Sequence, residues 1–251
     1  MSRERSRPLV GSGLVALAAL GAWWALGQAE LGGRQLVATP WQTLAGVPGA
    51  WRPLAHNLLA TLARSGGGLV LGVLLGLLVG LIAAALLPRA PLIESLLDLA
   101  RSIPPVVLFP LFLLAVGFNE LARVGTVAAG CLWTMALAVT TAARAPRSAR
   151  RELLQLAGAT RLEALAWTQP WEALGTLAVG LLASASLAVI VAVVTEMVVG
   201  AEHGIGSHVV AAQISGDAAA LTLDLVALGL VGWLLNLALR SLEGWARRVA
   251  T

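Results

Sequence analysis

The residues of this chain that could do chemistry are few and lie far apart. Glu196 follows a long apolar run, His203 and His208 flank a Gly-Ile-Gly segment, Asp217 and Asp224 stand seven apart, and Ser184 and Ser186 sit inside an apolar stretch. A spacing of five between the histidines is not the i, i+4 pair of a helical zinc site, and Glu202 precedes rather than follows His203. Both histidines are therefore expected as solvated loop residues. Ser184 and Ser186 have no nearby histidine and aspartate in sequence, so small-residue helix packing is the expectation for them. Asp217 and Asp224 can share a helix face, and helix-end polarity is expected rather than ion coordination. Glu196 has two readings: a functional carboxylate close to a membrane, or a solvated residue or arginine partner just beyond a helix end. Cys131 is the single cysteine, which excludes an internal disulfide and a cysteine-rich metal site. No catalytic constellation emerges.

Composition says where such residues must sit. The chain has 251 residues, 58% hydrophobic and only 12% charged, with a mean hydropathy of +0.85. Soluble domains carry about 25% charged residues, so a soluble globule is excluded, and so is disorder. All 17 basic residues are arginine, with no lysine, which removes a Walker A ATPase loop and Schiff-base chemistry. The net charge of +4 is a matter of arginine placement in a membrane protein, not of nucleic acid.

A helix crosses the hydrocarbon with about 20 apolar residues. Charge-free runs cover Pro8–Ala29, Ser65–Pro88, Ser102–Asn119 (with Pro104, Pro105 and Pro110), Val124–Ala143, Ala173–Thr195 and Ala218–Leu239, the last broken only by Asp224. The expected fold class is an all-α integral membrane protein of six transmembrane helices. The first run exceeds a signal-peptide core of about 7–15 residues, so it is expected to remain as a helix. With the N terminus inside, 13 arginines fall on inner segments, among them Arg3, Arg89, Arg101, Arg144, Arg150, Arg161 and Arg240, against Arg34, Arg52, Arg64 and Arg123 outside or near the outer boundary. This positive-inside bias places both termini in the cytoplasm.

The elements expected around these runs are an N-terminal tail and first helix over 1–30, an extracytoplasmic connection over 31–56, and a core over 57–248. Trp41 and Trp51 suit a short segment of that connection lying on the membrane. Gly68, Gly72, Gly76 and Gly80 recur every four residues, which makes one close-packing helix face. The inner loop 144–172 carries five arginines and three glutamates. Glu152–Ala157 reads as a short helix that Gly158 ends in the left-handed position. Thr160-Arg161-Leu162-Glu163 reads as a capping box, and Pro170 suits the first turn of the following helix. A shaped cationic loop of this kind is suited to docking on a protein.

At this loop the sequence resembles the inner-membrane permeases of binding-protein-dependent ABC importers, in the nitrate, sulfonate and taurine branch. Glu152-Leu153-Leu154 followed by Gly158 keeps the family's Glu-to-Gly spacing, with leucines in place of two alanines. Gly158-Ala159-Thr160-Arg161 matches its Gly-Ala-Ser/Thr-Arg turn, and Pro170 comes one residue early with Thr168-Gln169 before it. Arg101-Ser102-Ile103-Pro104-Pro105 resembles the family's Arg-Pro-Ile-Pro-Pro. Thr195-Glu196-Met197 with Gly204-Ile205-Gly206 resembles its Ala-Glu-Met and Gly-Leu-Gly segments, and His56-Asn57 the start of its core.

The resemblance implies a type I importer permease in a bacterial inner membrane. A second permease chain, most simply an identical copy, would complete the pore. Two cytoplasmic ATPase subunits would hold the ATP and Mg, this chain holding no cofactor, and an extracytoplasmic binding protein would deliver a small solute, an anion such as nitrate, sulfonate or taurine. Glu152, Gly158, Ala159, Thr160, Arg161 and Pro170 would couple to the ATPase. Arg101, Ser102, Pro104, Pro105, Glu196 and Met197 would lie on the translocation path or gate. Arg101 could attract an anion or simply anchor the inner boundary. The competing readings are a membrane-embedded enzyme, which needs more polar residues within the spans, and a stand-alone channel or secondary transporter, for which internal repeats or intramembrane charges are expected.

Overall fold

The computed structural model describes residues 7–31, 34–86, 92–143 and 149–250, with some side chains in these stretches left aside. The chain is helical apart from a two-residue antiparallel pair, β1 (Glu30–Leu31) with β2 (Arg34–Gln35). The helices are α1 (Arg7–Gly27), α2 (Pro40–Leu86), α3 (Leu92–Ser102), α4 (Phe109–Val116), α5 (Glu120–Ala143), α6 (Ala149–Leu156), α7 (Arg161–Val199), α8 (Ile205–Ser215) and α9 (Ala218–Ala250), with a 3-10 turn at Pro105–Leu108. Among the described residues four helices, α2, α5, α7 and α9, are long and apolar enough to cross a bilayer. A fifth span results if α3 and the Pro105–Val116 segment, bent by 81° at the intervening break, are counted as one. α1 carries a shorter apolar stretch, Leu14–Gly27.

The connection expected over 31–56 is largely helix. α2 starts at Pro40 and runs unbroken through Pro48 and Pro53. Its start is a second capping arrangement: the Thr39 backbone N–H donates to Gln42 Oε1 at 2.8 Å, and the Gln42 N–H donates to Thr39 Oγ1 at 3.3 Å. Thr39-Pro40-Trp41-Gln42 thus pairs a capping box with proline at the first helical position. The hairpin and the head of α2 are tied down on two sides. Trp23 Nε1 donates to the Ala38 carbonyl at 3.0 Å, and the Ala38 N–H donates to Thr222 Oγ1 on α9 at 2.9 Å.

The glycine stripe of α2 is buried against α5. A β-carbon built on Gly72 would stand 2.5 Å from the Ala128 carbonyl oxygen, and one on Gly76 2.6 Å from the Leu132 carbonyl oxygen. Real β-carbons do not approach so closely, so the two backbones meet because side chains are missing. The core beyond this seam joins Val127 and Cys131 of α5 to Ala188, Val191 and Ala192 of α7. Gly72→Ala is expected to force α2 and α5 apart and cost about 1–3 kcal/mol; an unchanged unfolding transition in detergent would show that the seam yields freely.

The prolines of the third apolar run produce a bend instead of one straight helix. α3 ends at Ser102, Pro104 is extended (φ −59°, ψ 123°), and Pro105 opens the 3-10 turn. A residue before proline is pushed out of the helical region, which accounts for the break. Pro105 packs on the open backbone at Gly130 of α5, where an added β-carbon would lie 2.8 Å from its Cγ.

Candidate functional site

Two sites stand toward opposite ends of α7, whose 39 residues make a helix about 58 Å long at about 1.5 Å per residue.

The first is the hairpin joining α6 to α7. α6 ends in a Schellman arrangement: the Gly158 N–H donates to the Gln155 carbonyl and the Ala159 N–H to the Leu154 carbonyl, each at 3.0 Å. Gly158 has φ +95°, a conformation that side chains resist. Thr160 then caps α7. The Glu163 N–H donates to Thr160 Oγ1 at 3.3 Å, while the Thr160 N–H and hydroxyl donate to Glu163 Oε2 at 2.8 and 2.7 Å. The capping box read from sequence is present. These bonds from Thr160 hold the Glu163 carboxyl below its usual range. The box is therefore complete above that range and is lost as acid protonates the carboxylate. α7 continues without a break from Arg161 through Pro170 to Val199, so the separate short helix expected before the fifth span is the first part of one long helix. The side chains of Arg161 and Pro170 lie outside the described residues. Glu152, Leu153 and Leu156 are exposed on α6. Thr160→Ala is expected to cost about 1 kcal/mol and to raise proteolytic nicking at 157–162 without disturbing the spans.

The second is a buried charge cluster where α2, α5, α7 and α8 meet. Glu196, expected either as a gate carboxylate or as a solvated residue or arginine partner beyond a helix end, is fully buried and is an arginine partner. Arg64 NH1 donates to its Oε1 at 2.7 Å, the Gly206 N–H to its Oε2 at 2.9 Å, and the Thr61 hydroxyl lies 2.8–2.9 Å from both oxygens. Arg64 also grips Glu120 with two nitrogens, at 2.5 and 3.0 Å, and donates to the His203 carbonyl at 2.6 Å. Arg123 pairs with Glu120 at 2.8 Å and donates to the Gly200 carbonyl at 2.6 Å. Asn57 Oδ1 accepts from the Gly204 N–H at 3.0 Å, and Thr61 Oγ1 from the Ile205 N–H at 3.0 Å. The whole α7–α8 link is thus held by side chains of α2 and α5. Only small backbone fits here: a β-carbon on Gly204 would stand 2.5 Å from the Glu196 carboxyl carbon. Two arginines face two glutamates in a neutral cluster. Arg64, Arg123 and Glu196 are buried and each is paired, as burial demands. Glu120 has a side chain 57% exposed, and Arg123 Nε is left without a partner among the described residues.

Sequence reasoning missed most of this cluster. In sequence, Arg64 and Arg123 read only as boundary charges, and Glu120 and Thr61 belong to no motif. A signal existed: Asn57, Thr61 and Arg64 extend the face of the glycine stripe at helical spacing. The other expected path residues are not drawn in. Arg101 pairs with Asp98 at 2.9 Å, and the Ser102 hydroxyl donates to the Asp98 carbonyl at 2.7 Å, at the bend before Pro104 and Pro105. Met197 beside Glu196 is partly exposed. The helix-end expectation holds for Asp217, whose Oδ1 accepts from the Ala220 N–H. It fails for Asp224, which is buried and lies 2.6 Å from His208 Nδ1, so His208 is not a solvated loop residue either. His203 is half exposed, its ring edge-on to His56. Ser184 is fully buried among small residues of α7. Among the described residues no group of three or more histidine, cysteine or acidic side chains is placed to hold a metal.

Comparison with known proteins decides the family. The model of the binding-protein-dependent transport system inner membrane component matches residues 72–248, more than half of the chain. The chain belongs to this family. No curated relative matches the sequence. Among solved structures, the MetNI methionine ABC transporter in inward-facing form is similar at 21% identity with a TM-score of 0.66, covering 79% of this chain and 98% of that one. An amino acid ABC transporter solved with histidines is similar at 17% identity and a TM-score of 0.61, covering 82% and 98%. At these identities the likeness concerns the fold, the type I importer permease fold. The transport-system inner membrane component is thus a multi-pass permease of an ABC importer. Its family match takes in α5 to α9 and with them both candidate sites, except the Asn57–Arg64 turn of α2.

Proposed function

We propose that this permease carries a small anionic solute inward, driven by a separate ATPase that docks on the α6–α7 hairpin. The observation that carries the reading is that hairpin: a short helix, a left-handed Gly158 and a capped long helix, placed in the family-matched region and flanked by arginines. The 13-to-4 arginine distribution supports a cytoplasmic position for the hairpin and for both termini, with α1 as the first of six spans. On that orientation the Glu196 cluster lies toward the outer side. It would serve as the fixed seat of the α7–α8 link while the pore alternates between inward and outward access. Glu152, Gly158, Ala159, Thr160, Arg161 and Pro170 form the coupling segment in this reading, and Arg101, Ser102, Pro104 and Pro105 line the inner boundary. A second copy of the chain completes the pore, two ATPase subunits bring ATP and Mg, and a binding protein delivers the solute in a bacterial inner membrane. The anion class and the nitrate, sulfonate and taurine branch rest on the resemblance of the Arg101–Pro105 and Thr195–Gly206 segments.

The test is co-purification of the tagged chain with its partners. An ATPase should accompany it, with ATP hydrolysis only in the complex, and the cognate binding protein should bind a sulfonate or nitrate. A chain that transports alone overturns the reading, and a binding protein selective for a cation or neutral solute removes the anion class.

A further inference from the structure

Besides Glu196, the described residues hold a second buried carboxylate in an apolar span. Asp224 is 1% exposed, within the apolar span that begins at Ala218. Its Oδ2 lies 2.6 Å from Nδ1 of His208, whose side chain is 34% exposed. A carboxylate at such a place is costly unless it has a partner.

The groups around the pair leave His208 as that partner. On α9, Asp217 stands two turns earlier, where it caps the helix. On α7, Glu196 is occupied by Arg64 of α2. Arg64 is shared with Glu120 of α5, and Arg123 is bound to Glu120 and the Gly200 carbonyl. On the link before α8, Glu202 lies 3.9 Å from His203, whose ring meets His56 of α2. Among the described residues, then, the His208 ring is the partner in contact with Asp224.

The position of the pair matters because α8 is held firmly at its start. Ile205 and Gly206 are fixed by Thr61 and Glu196, and Ile205, Val209 and Ala212 supply the buried apolar face. The α8 residues in these contacts are small or aliphatic, and His208, one turn from the fixed end, adds a polar contact from α8 to α9.

We propose that His208 and Asp224 form a proton-dependent clip that positions α8 against α9 in the transport cycle. This rests on the reading of the chain as a transporter. With His208 protonated the pair is neutral and the clip is closed. As pH rises and His208 loses its proton, Nδ1 can still donate a hydrogen bond, but Asp224 is left as a buried net charge, and separating α8 from α9 to admit water becomes favourable. Histidine is the side chain suited to such a change near neutral pH. The clip is therefore closed in the pH range where the histidine carries its proton and the carboxylate does not, and it opens as pH rises above that range.

Hydrogen–deuterium exchange of residues 205–215, corrected for the intrinsic pH dependence, tests this on the full chain in lipid nanodiscs. Exchange in the wild type should rise about tenfold between pH 6 and pH 8, the change expected when the closed clip contributes about 1.4 kcal/mol. His208→Gln, whose amide still donates to Asp224 without titrating, should show a flat profile, as should Asp224→Asn. A flat wild-type profile overturns the proposal by itself, even if a variant fails to fold, and so does an unchanged pH dependence in His208→Gln. In the assembled transporter, His208→Gln should lose the pH-dependent limb of solute uptake. Lower uptake with an unchanged pH profile would mean a merely structural bond and also overturns it. Exchange is measured without any partner, so failure of the importer reading and failure of the clip are separate results.

Discussion

Replacing Arg64 with methionine is expected to cost about 3–5 kcal/mol and to release the α7–α8 link. Removing one member of a buried ion pair leaves the other charge uncompensated, and the penalty falls in this range. Here the stranded group is Glu196, fully buried and left with Thr61 and the Gly206 N–H. The His203 carbonyl loses its donor at the same time. Glu196→Gln is a milder change. The amide keeps an oxygen for Thr61 and Gly206, and Arg64 keeps both bonds to Glu120, so the loss should be about 1.5–3 kcal/mol, that of one charged hydrogen bond. The double substitution Arg64→Met with Glu196→Met should cost less than the sum of the single ones, because apolar replacement of both partners removes the stranded charge. Chemical unfolding in detergent measures these differences, and limited proteolysis across 200–204 reports the link directly. Additive costs would mean that Arg64 is stabilised chiefly through Glu120. If Glu196→Gln leaves uptake, ATPase stimulation and assembly unchanged, Glu196 has no role at a gate.

That cluster also shows what a sequence of this kind discloses. Helix faces were legible: the spacing of Gly68, Gly72, Gly76 and Gly80 marked the face that α2 buries, since period alone tells which residues share a side. Local ends were legible too, as at Gly158 and Thr160, because caps depend on residues three or four apart. What the faces meet was not legible. Arg64 finds Glu120 and Glu196 at separations of 56 and 132 residues, and nothing in periodicity selects a partner so distant. The same reason hid His208 and Asp224, which look like loop and helix-end polarity until α8 folds back along α9. The head of α2 is a different case. Thr39-Pro40-Trp41-Gln42 is a local start signal, but Pro48 and Pro53 fall in the stretch expected as a connection, and the helix continues through both. Each proline forgoes one backbone hydrogen bond, a local loss that the rest of a 47-residue helix can absorb.

Substituting Gly158 with valine is expected to abolish coupling while leaving the membrane bundle folded. No atom lies within 4 Å of a β-carbon built there, so the substitution meets no steric obstacle. Its cost is conformational, because φ +95° is strained for any residue with a side chain and most for a β-branched one. Forcing that geometry costs about 1–3 kcal/mol, comparable to what the two Schellman bonds return. The hairpin can escape the strain by giving up those bonds, which would turn α6 away from its direction relative to α7. The spans have no share in the strain: the α2–α5 seam and the α5–α7 core lie elsewhere. Valine should therefore leave the chain's thermal unfolding and its pairing with a second copy close to normal, yet sever uptake from ATP hydrolysis in the reconstituted complex. Alanine should be intermediate, and asparagine, which tolerates left-handed backbone better than other side chains, should retain the most coupling. The order glycine, asparagine, alanine, valine in solute carried per ATP hydrolysed is the signature of a turn whose function is its shape. Normal coupling in the valine variant would remove the hairpin from the energy pathway, and a variant that fails to assemble would place Gly158 in the folding of the permease instead.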